Sequence, residues 1–159
     1  MDTRIGFGFD THRLGEGRPL ILGGIHIASA SGCIGHSDAD VLIHAICDAL
    51  LGAANMRDIG FHFPDTDPKF KNIDSTLLLK ETCRLLSEAG WSIGNIDTTI
   101  VIQAPKINPY VSSMQQKLSE VMSVPVEDVS IKAKTSEGIG FIGRGEGVSA
   151  YAVVLIKKC

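Results

Sequence analysis

The sequence predicts an α/β fold of the α+β kind: a single domain, residues 1–159, in which a small mixed β-sheet has helices packed on one face. Three observations predict it. Strand-type and helix-type apolar patterns alternate along the chain, no Rossmann glycine fingerprint accompanies them, and no linker, repeat or low-complexity run divides the 159 residues.

Residues 5–10 read as a strand, and residues 20–27, interrupted by Gly23-Gly24, as a strand pair or one bulged strand. A loop with Gly32 and Gly35 follows. Ser37 or Asp38 is placed to cap a helix running to about Ala54, with Val41, Leu42, Ala45, Ile46, Ala49 and Leu50 on its buried face. Asp40, His44 and Asp48 share one stripe of that helix at i, i+4 and i+8. Residues 55–71 hold Gly60, Pro64 and Pro68 among charged and aromatic side chains and read as a long irregular loop, a kind that often carries function. An amphipathic helix over 75–89 is closed by Gly90, a strand covers 96–102, and a helix over 111–122 precedes Pro125. Strands over 129–134 and 148–156 complete the chain.

Composition limits the function classes. With 44% apolar and 21% charged residues the chain is expected to fold as an ordinary globular domain, without disorder or a membrane span. The net charge is −3 and the basic residues are scattered, so neither nucleic acid nor anionic lipid is an expected partner. Phosphate groups would have to be held by metals and backbone. Cys33, Cys47, Cys83 and Cys159 form no CxxC pair and sit mostly in apolar segments, which points to reduced thiols. The strand-like Arg4-Ile5-Gly6-Phe7-Gly8-Phe9 near the start does not read as a leader, so a bacterial cytoplasmic protein is expected.

Asp10 and His12 are two apart, so in an extended segment both point to one side, and a carboxylate beside an imidazole is half of a zinc site. His44 is the candidate third ligand, because an imidazole in an Ala-rich apolar stretch needs a partner. Three protein ligands and an open position make a catalytic zinc site. Asp40 and Asp48, one turn to either side, read either as acceptors that orient the His44 ring or as plain helix-face charges. Lys134-Thr135-Ser136-Glu137 lies just beyond a strand, where Thr135 and Ser136 can donate to phosphate and Glu137 can hold a hard cation such as Mg²⁺. Gly140-Phe141-Ile142-Gly143-Arg144-Gly145-Glu146-Gly147 reads as a strand-like segment in which backbone comes close to a ligand or another subunit. It lacks the GKS/T ending of a Walker loop.

Taken in order, Gly8-Phe9-Asp10-Thr11-His12-Arg13, Leu22-Gly23-Gly24, Gly35-His36-Ser37-Asp38-Ala39-Asp40, Asp58-Ile59-Gly60, Phe63-Pro64-Asp65-Thr66-Asp67-Pro68, Gln103-Ala104-Pro105-Lys106, Lys134-Thr135 and the glycine-rich block from Gly140 resemble the 2-C-methyl-D-erythritol 2,4-cyclodiphosphate synthases of non-mevalonate isoprenoid synthesis. The resemblance spans nearly the whole chain. It implies a lyase that acts on 4-diphosphocytidyl-2-C-methyl-D-erythritol 2-phosphate, with the 2-phosphate attacking the β-phosphorus and CMP leaving. It also implies zinc or another divalent transition metal on Asp10, His12 and His44, and a second cation, Mg²⁺ or Mn²⁺, reached by Glu137. His36 and Thr135 match the residues that stabilise the transition state.

Further substrate contacts implied by the resemblance are Ser37, Asp58, Ile59, Gly60, Phe63, Pro64, Asp65, Thr66, Asp67, Lys134, Ser136, Phe141 and Arg144, with Ala104, Pro105, Lys106, Ile107 and Asn108 forming the cytidine pocket. The family is a homotrimer whose active sites are shared between subunits, and an isoprenoid diphosphate can occupy its threefold axis beside the positions of Phe9 and Arg144. The chain departs from commoner family residues at Thr11, Asn108 and Tyr151. Two other readings of the same residues are a metal-dependent phosphohydrolase and a non-catalytic isoprenoid-diphosphate-binding trimer.

Overall fold

A computed structural model describes residues 2–159. Strand β1 (Thr3–Glu16) is longer than the expected 5–10, because it is paired along its whole length. Residues 3–13 run antiparallel to β7 (Gly147–Lys158), and residues 14–16 to the short β4 (Ser31–Cys33). Asp10 and His12 therefore lie on one continuous strand. On the far side of β7 lie β5 (Trp91–Val101), antiparallel to it, and then β6 (Val129–Lys134), parallel to β5. The order β4-β1-β7-β5-β6 makes a five-stranded mixed sheet, and β2 (Leu20–Leu22) with β3 (Ile25–Ile27) forms the expected pair around Gly23-Gly24.

One face of the sheet is covered by α1 (Val41–Ala53), α3 (Ser75–Glu88) and α4 (Val111–Met122). The even-numbered residues Val148, Ala150, Ala152, Val154 and Ile156 of β7 and Ile96 and Ile100 of β5 are buried beneath them. The odd-numbered residues face the other way, and Ile5, Phe7, Phe9, Tyr151 and Val153 form an exposed apolar patch on the uncovered face.

Helix α1 lies unusually close to β1. A Cβ built on Gly6 would stand 1.9 Å from the Ala49 carbonyl oxygen, and one on Gly8 1.9 Å from that of Ala45. Only hydrogen at both strand positions, facing small residues at i and i+4 of the helix, allows that approach.

The start of α1 differs from expectation. Asp40, not Ser37 or Asp38, is the cap: its Oδ1 accepts N–H bonds from Ile43 and Gly23, each at 3.0 Å, and its Oδ2 accepts from Gly24 at 2.7 Å. Its carboxylate is thus spent on three backbone donors and is not an acceptor for the His44 ring. Burial pushes this fully enclosed carboxyl up to about 6, against the N–H bonds that favour its charged form.

The glycine-rich segment is likewise not strand-like throughout. Gly140–Gly143 forms a helical turn, and only Gly147 joins β7. Gly140 and Gly145 both have φ of 73°, a region closed to a regular strand. The 55–71 loop contains a short helix, α2 (Ile59–His62), and a 3₁₀ turn at Pro68–Phe70.

Candidate functional site

Asp10 and His12 project from β1 toward the helix layer, and His44 descends from α1 to meet them. Asp10 Oδ2 lies 2.9 Å from His12 Nε2 and 3.1 Å from His44 Nδ1, and the two ring nitrogens are 3.2 Å apart. Among the described residues these are the only three His, Cys, Asp or Glu side chains that bring their donor atoms close enough together to share one ion. Ligands about 2.0–2.1 Å from a tetrahedral ion stand roughly 3.3–3.4 Å from one another, so the donor triangle fits a divalent ion with one face left open.

The two histidines offer opposite nitrogens. His12 bonds through Nδ1 to the Ile34 carbonyl at 2.9 Å, freeing Nε2 for the cluster. His44 faces the cluster with Nδ1, while Nε2 lies 3.1 Å from Ser37 Oγ and 3.0 Å from Ser75 Oγ. Burial works to raise the Asp10 carboxyl and to lower the His12 ring, but the hydrogen bonds and opposite charges of the cluster together outweigh it: Asp10 is held at about 2 and His12 is raised. Thr11 points away, its hydroxyl bonded to Ser149 at 2.7 Å.

A cavity of about 450 Å³ opens above the triad. His36, Ser37, Ile59, Gly60, Phe63, Pro64, Asp65 and Thr66 line it with the three donors, and so does Asp48. Asp48, the carboxylate one turn beyond His44, is not bonded to that ring: its Oδ1 accepts the Ile59 N–H at 2.7 Å and so ties α2 to α1, and burial raises its pKa. Asp58, just before α2, is exposed. The Asp67 carboxylate caps the 3₁₀ turn through Lys69 N–H, and its carbonyl accepts from His36 Nε2 at 3.3 Å.

The remaining expected residues lie elsewhere on the chain. Pro105, Lys106, Ile107, Asn108, Lys134 and Thr135 line a separate cavity of about 240 Å³. Ala104 joins Arg144 along another groove, and the Ala104–Pro105 peptide is cis. Glu137 is exposed, with its backbone N–H bonded to Thr135 Oγ1 at 3.2 Å, and Ser136 Oγ donates to the Ile139 carbonyl at 2.7 Å. Phe141 lines a small cavity together with His12, Arg13 and Gly147, and Arg144 pairs with Glu146 at 2.8 Å.

The sheet register measures the separation of the two groups. Thr11 pairs with Ser149, Ser149 with Val101 and Val101 with Lys134, a row that crosses three strand gaps. At about 4.8 Å per gap, Lys134 is roughly 14 Å from Thr11.

Sequence reading passed over two contributions to the triad. The Gly6–Gly8 alternation opposite Ala45 and Ala49 was legible as a close-packing seam. Ser75 reads in the sequence only as part of a helix, and nothing there joins it to His44, 31 residues away.

The YgbB family model matches residues 3–157. A 2-C-methyl-D-erythritol 2,4-cyclodiphosphate synthase of Cytophaga hutchinsonii is 60% identical over 158 residues, 99% of each chain. One of Parabacteroides distasonis is 61% identical, covering 99% of this chain and 98% of its own. Among solved structures, the bifunctional IspDF of Campylobacter jejuni superposes with a TM-score of 0.95 at 41% identity over 99% of this chain, which spans 42% of that longer one. A 2C-methyl-D-erythritol-2,4-cyclodiphosphate synthase in its CDP-bound form superposes with a TM-score of 0.90 at 40% identity, over 97% of this chain and all of its own.

Proposed function

Because the chain belongs to the YgbB family, we infer that it converts 4-diphosphocytidyl-2-C-methyl-D-erythritol 2-phosphate to 2-C-methyl-D-erythritol 2,4-cyclodiphosphate and CMP, a phosphorus–oxygen lyase step of isoprenoid precursor synthesis. An oxygen of the 2-phosphate bonds to the β-phosphorus as the bond from that phosphorus to the α-phosphate oxygen breaks. No protein nucleophile is needed, so the chain's task is to fold the substrate back on itself and to offset charge. The observation that carries the reading is the donor triangle of Asp10, His12 and His44 at the base of the cavity.

A divalent ion on those residues, for which we propose zinc, would serve as Lewis acid toward the β-phosphate. One carboxylate and two neutral imidazoles leave such a site with net positive charge, which suits a diphosphate. His36, its Nε2 held by the Asp67 carbonyl, lines the cavity where protonation of Nδ1 would let it donate to a phosphate, and the loop from Ile59 to Thr66 would enclose the erythritol part. We assign the cytidine to the cavity of Pro105, Lys106 and Asn108, with Thr135 at its rim and Glu137 beyond, reaching a second cation, Mg²⁺ or Mn²⁺. Four free thiols suit the bacterial cytoplasm. No helix among the described residues is long and apolar enough to cross a membrane.

We further propose a homotrimer with shared sites. Groups touching one diphosphate cannot stand roughly 14 Å apart across a sheet, so the metal side of one copy would meet the Thr135 side of another. The apolar patch of Phe7, Phe9, Tyr151 and Val153 offers a surface for assembly, and Phe9, its ring centre 5.2 Å from that of Tyr151, marks where an isoprenoid diphosphate would bind.

Phosphorus NMR of the protein with substrate and Mg²⁺ should show CMP and a cyclic diphosphate, both lost on chelation; a linear phosphate product would mean hydrolysis instead. Sharing of sites has its own test. Inactive His44→Ala and Thr135→Ala chains, co-refolded in equal amounts, should regain activity at about a quarter of the sites, since random assembly pairs an intact metal side with an intact Thr135 side that often. A mixture as inactive as its parents would place each site within one chain.

A further inference from the structure

His44 can donate Nδ1 to a metal only if its proton resides on Nε2, and that N–H then needs an acceptor inside the protein. Two hydroxyls are within reach, Ser75 Oγ at 3.0 Å and Ser37 Oγ at 3.1 Å. They are not equivalent. Ser75 is fully buried, and its hydroxyl donates to Asp38 Oδ1 while its backbone N–H donates to Asp38 Oδ2 at 3.0 Å. With its proton committed to a carboxylate, Ser75 Oγ has only lone pairs to present to His44. Ser37 Oγ has no carboxylate partner; it accepts the Ala39 N–H at 3.1 Å and lies at the cavity wall.

We propose that Ser75 and Asp38 are positioning residues of the metal centre, forming a relay from Asp38 through Ser75 to His44 that fixes the ring's tautomer and strengthens it as a donor. The inference rests on the divalent-metal reading of Asp10, His12 and His44. Hydrogen bonds in series polarise one another, so the carboxylate at the far end draws the Nε2 proton outward and makes Nδ1 more basic. His12 has only the neutral carbonyl of Ile34 in the corresponding place. Asp38 is itself held in position: its backbone N–H donates to Ile73 O at 3.0 Å, and its Oδ1 accepts the Asp40 N–H at 3.2 Å. The relay also ties the first residue of α3 to α1, so the sheet-covering helices and the metal donors share one network.

Ser75→Ala is a clean deletion, because α3 keeps its Asp74 cap on Thr76 N–H at 2.8 Å and the residue-75 backbone N–H keeps Asp38. The full chain, stripped of metal and titrated with Zn²⁺ against a chromophoric chelator, should bind about 10- to 100-fold more weakly in Ser75→Ala than in wild type. The visible absorption of the Co²⁺-loaded variant should shift, while the metal-free protein stays folded and loses no more than one charged hydrogen bond is worth, about 3–12 °C in melting temperature. Asp38→Asn should weaken binding in the wild-type background and add little to Ser75→Ala. Wild-type affinity and cobalt spectrum in Ser75→Ala would overturn the relay, as would a loss in Ser37→Ala equal to or greater than that in Ser75→Ala. If wild type binds Zn²⁺ and His44→Ala does not, such a result sinks the relay alone; if wild type binds none, the metal reading falls with it.

Discussion

His44→Ala is expected to emerge folded, without its divalent ion and without measurable cyclisation. The substitution removes one corner of a triangle whose edges are 2.9, 3.1 and 3.2 Å, leaving two ligands from alternate positions of one strand, too few for a closed or a catalytic zinc site. Lewis-acid stabilisation is worth several kcal/mol, so turnover should drop by about 10³-fold or more. Asp10→Asn should do the same with almost no change in shape, since it removes the one negative charge of the donor set. Metal content by atomic emission and CMP release measured on the same samples check both, with circular dichroism to confirm the fold. Wild-type turnover in either variant would remove the triad from the reaction.

Gly8→Ala should damage the protein far more than a single methyl suggests. The new Cβ would stand 1.9 Å from the Ala45 carbonyl oxygen, where an ordinary contact is 3.4 Å or more, and a backbone atom cannot turn aside. Either α1 rises from β1 or the strand bends. Overpacking of this kind costs about 3 kcal/mol at the upper end of the usual range, which for a domain of this size lowers the melting temperature by roughly 6–12 °C. The metal centre should suffer more, because His44 moves with α1 while Asp10 and His12 stay with β1, and donor distances tolerate only about 0.2 Å. Gly8→Val should fail to fold at all. Thermal melts and Zn²⁺ titration read the two effects separately, and a Gly8→Ala protein with native stability and affinity would show that the helix can shift freely.

How far the sequence disclosed this site depends on what each residue bonds to. The triad was legible because its members are metal-ligand types in a strand-period pair and an apolar helix. The alternating sheet and the covered face followed from periodicity. The exchange of caps was not legible: Ser37, Asp38 and Asp40 are all good capping residues, and what selects Asp40 is the turn at Gly23-Gly24, which approaches only in three dimensions. The glycine-rich segment looks extended because glycine carries no periodicity, whereas positive φ at Gly140 and Gly145 breaks the strand on either side of a short helical turn. Ser75 was invisible for a similar reason. A serine at a helix start has a sufficient local explanation, and its bond to His44 exists only because two helices meet.

The letters Asp-x-His have a direction, and the direction comes from the packing. His12 reaches the cluster with its far nitrogen, Nε2, while Asp10 and His44 use atoms one bond nearer their own backbones. The longer reach of the ring at position 12 thus complements the shorter reach of the other two donors. On the opposite flank the helix backbone already fills the space above Gly8, so no long side chain could lean in from there. Reversing the pair to His-x-Asp would put the shorter side chain where the longer reach is used and the bulkier ring next to Gly8, where the helix lies closest. Word order in the motif is therefore a record of which side of the strand the helix occupies.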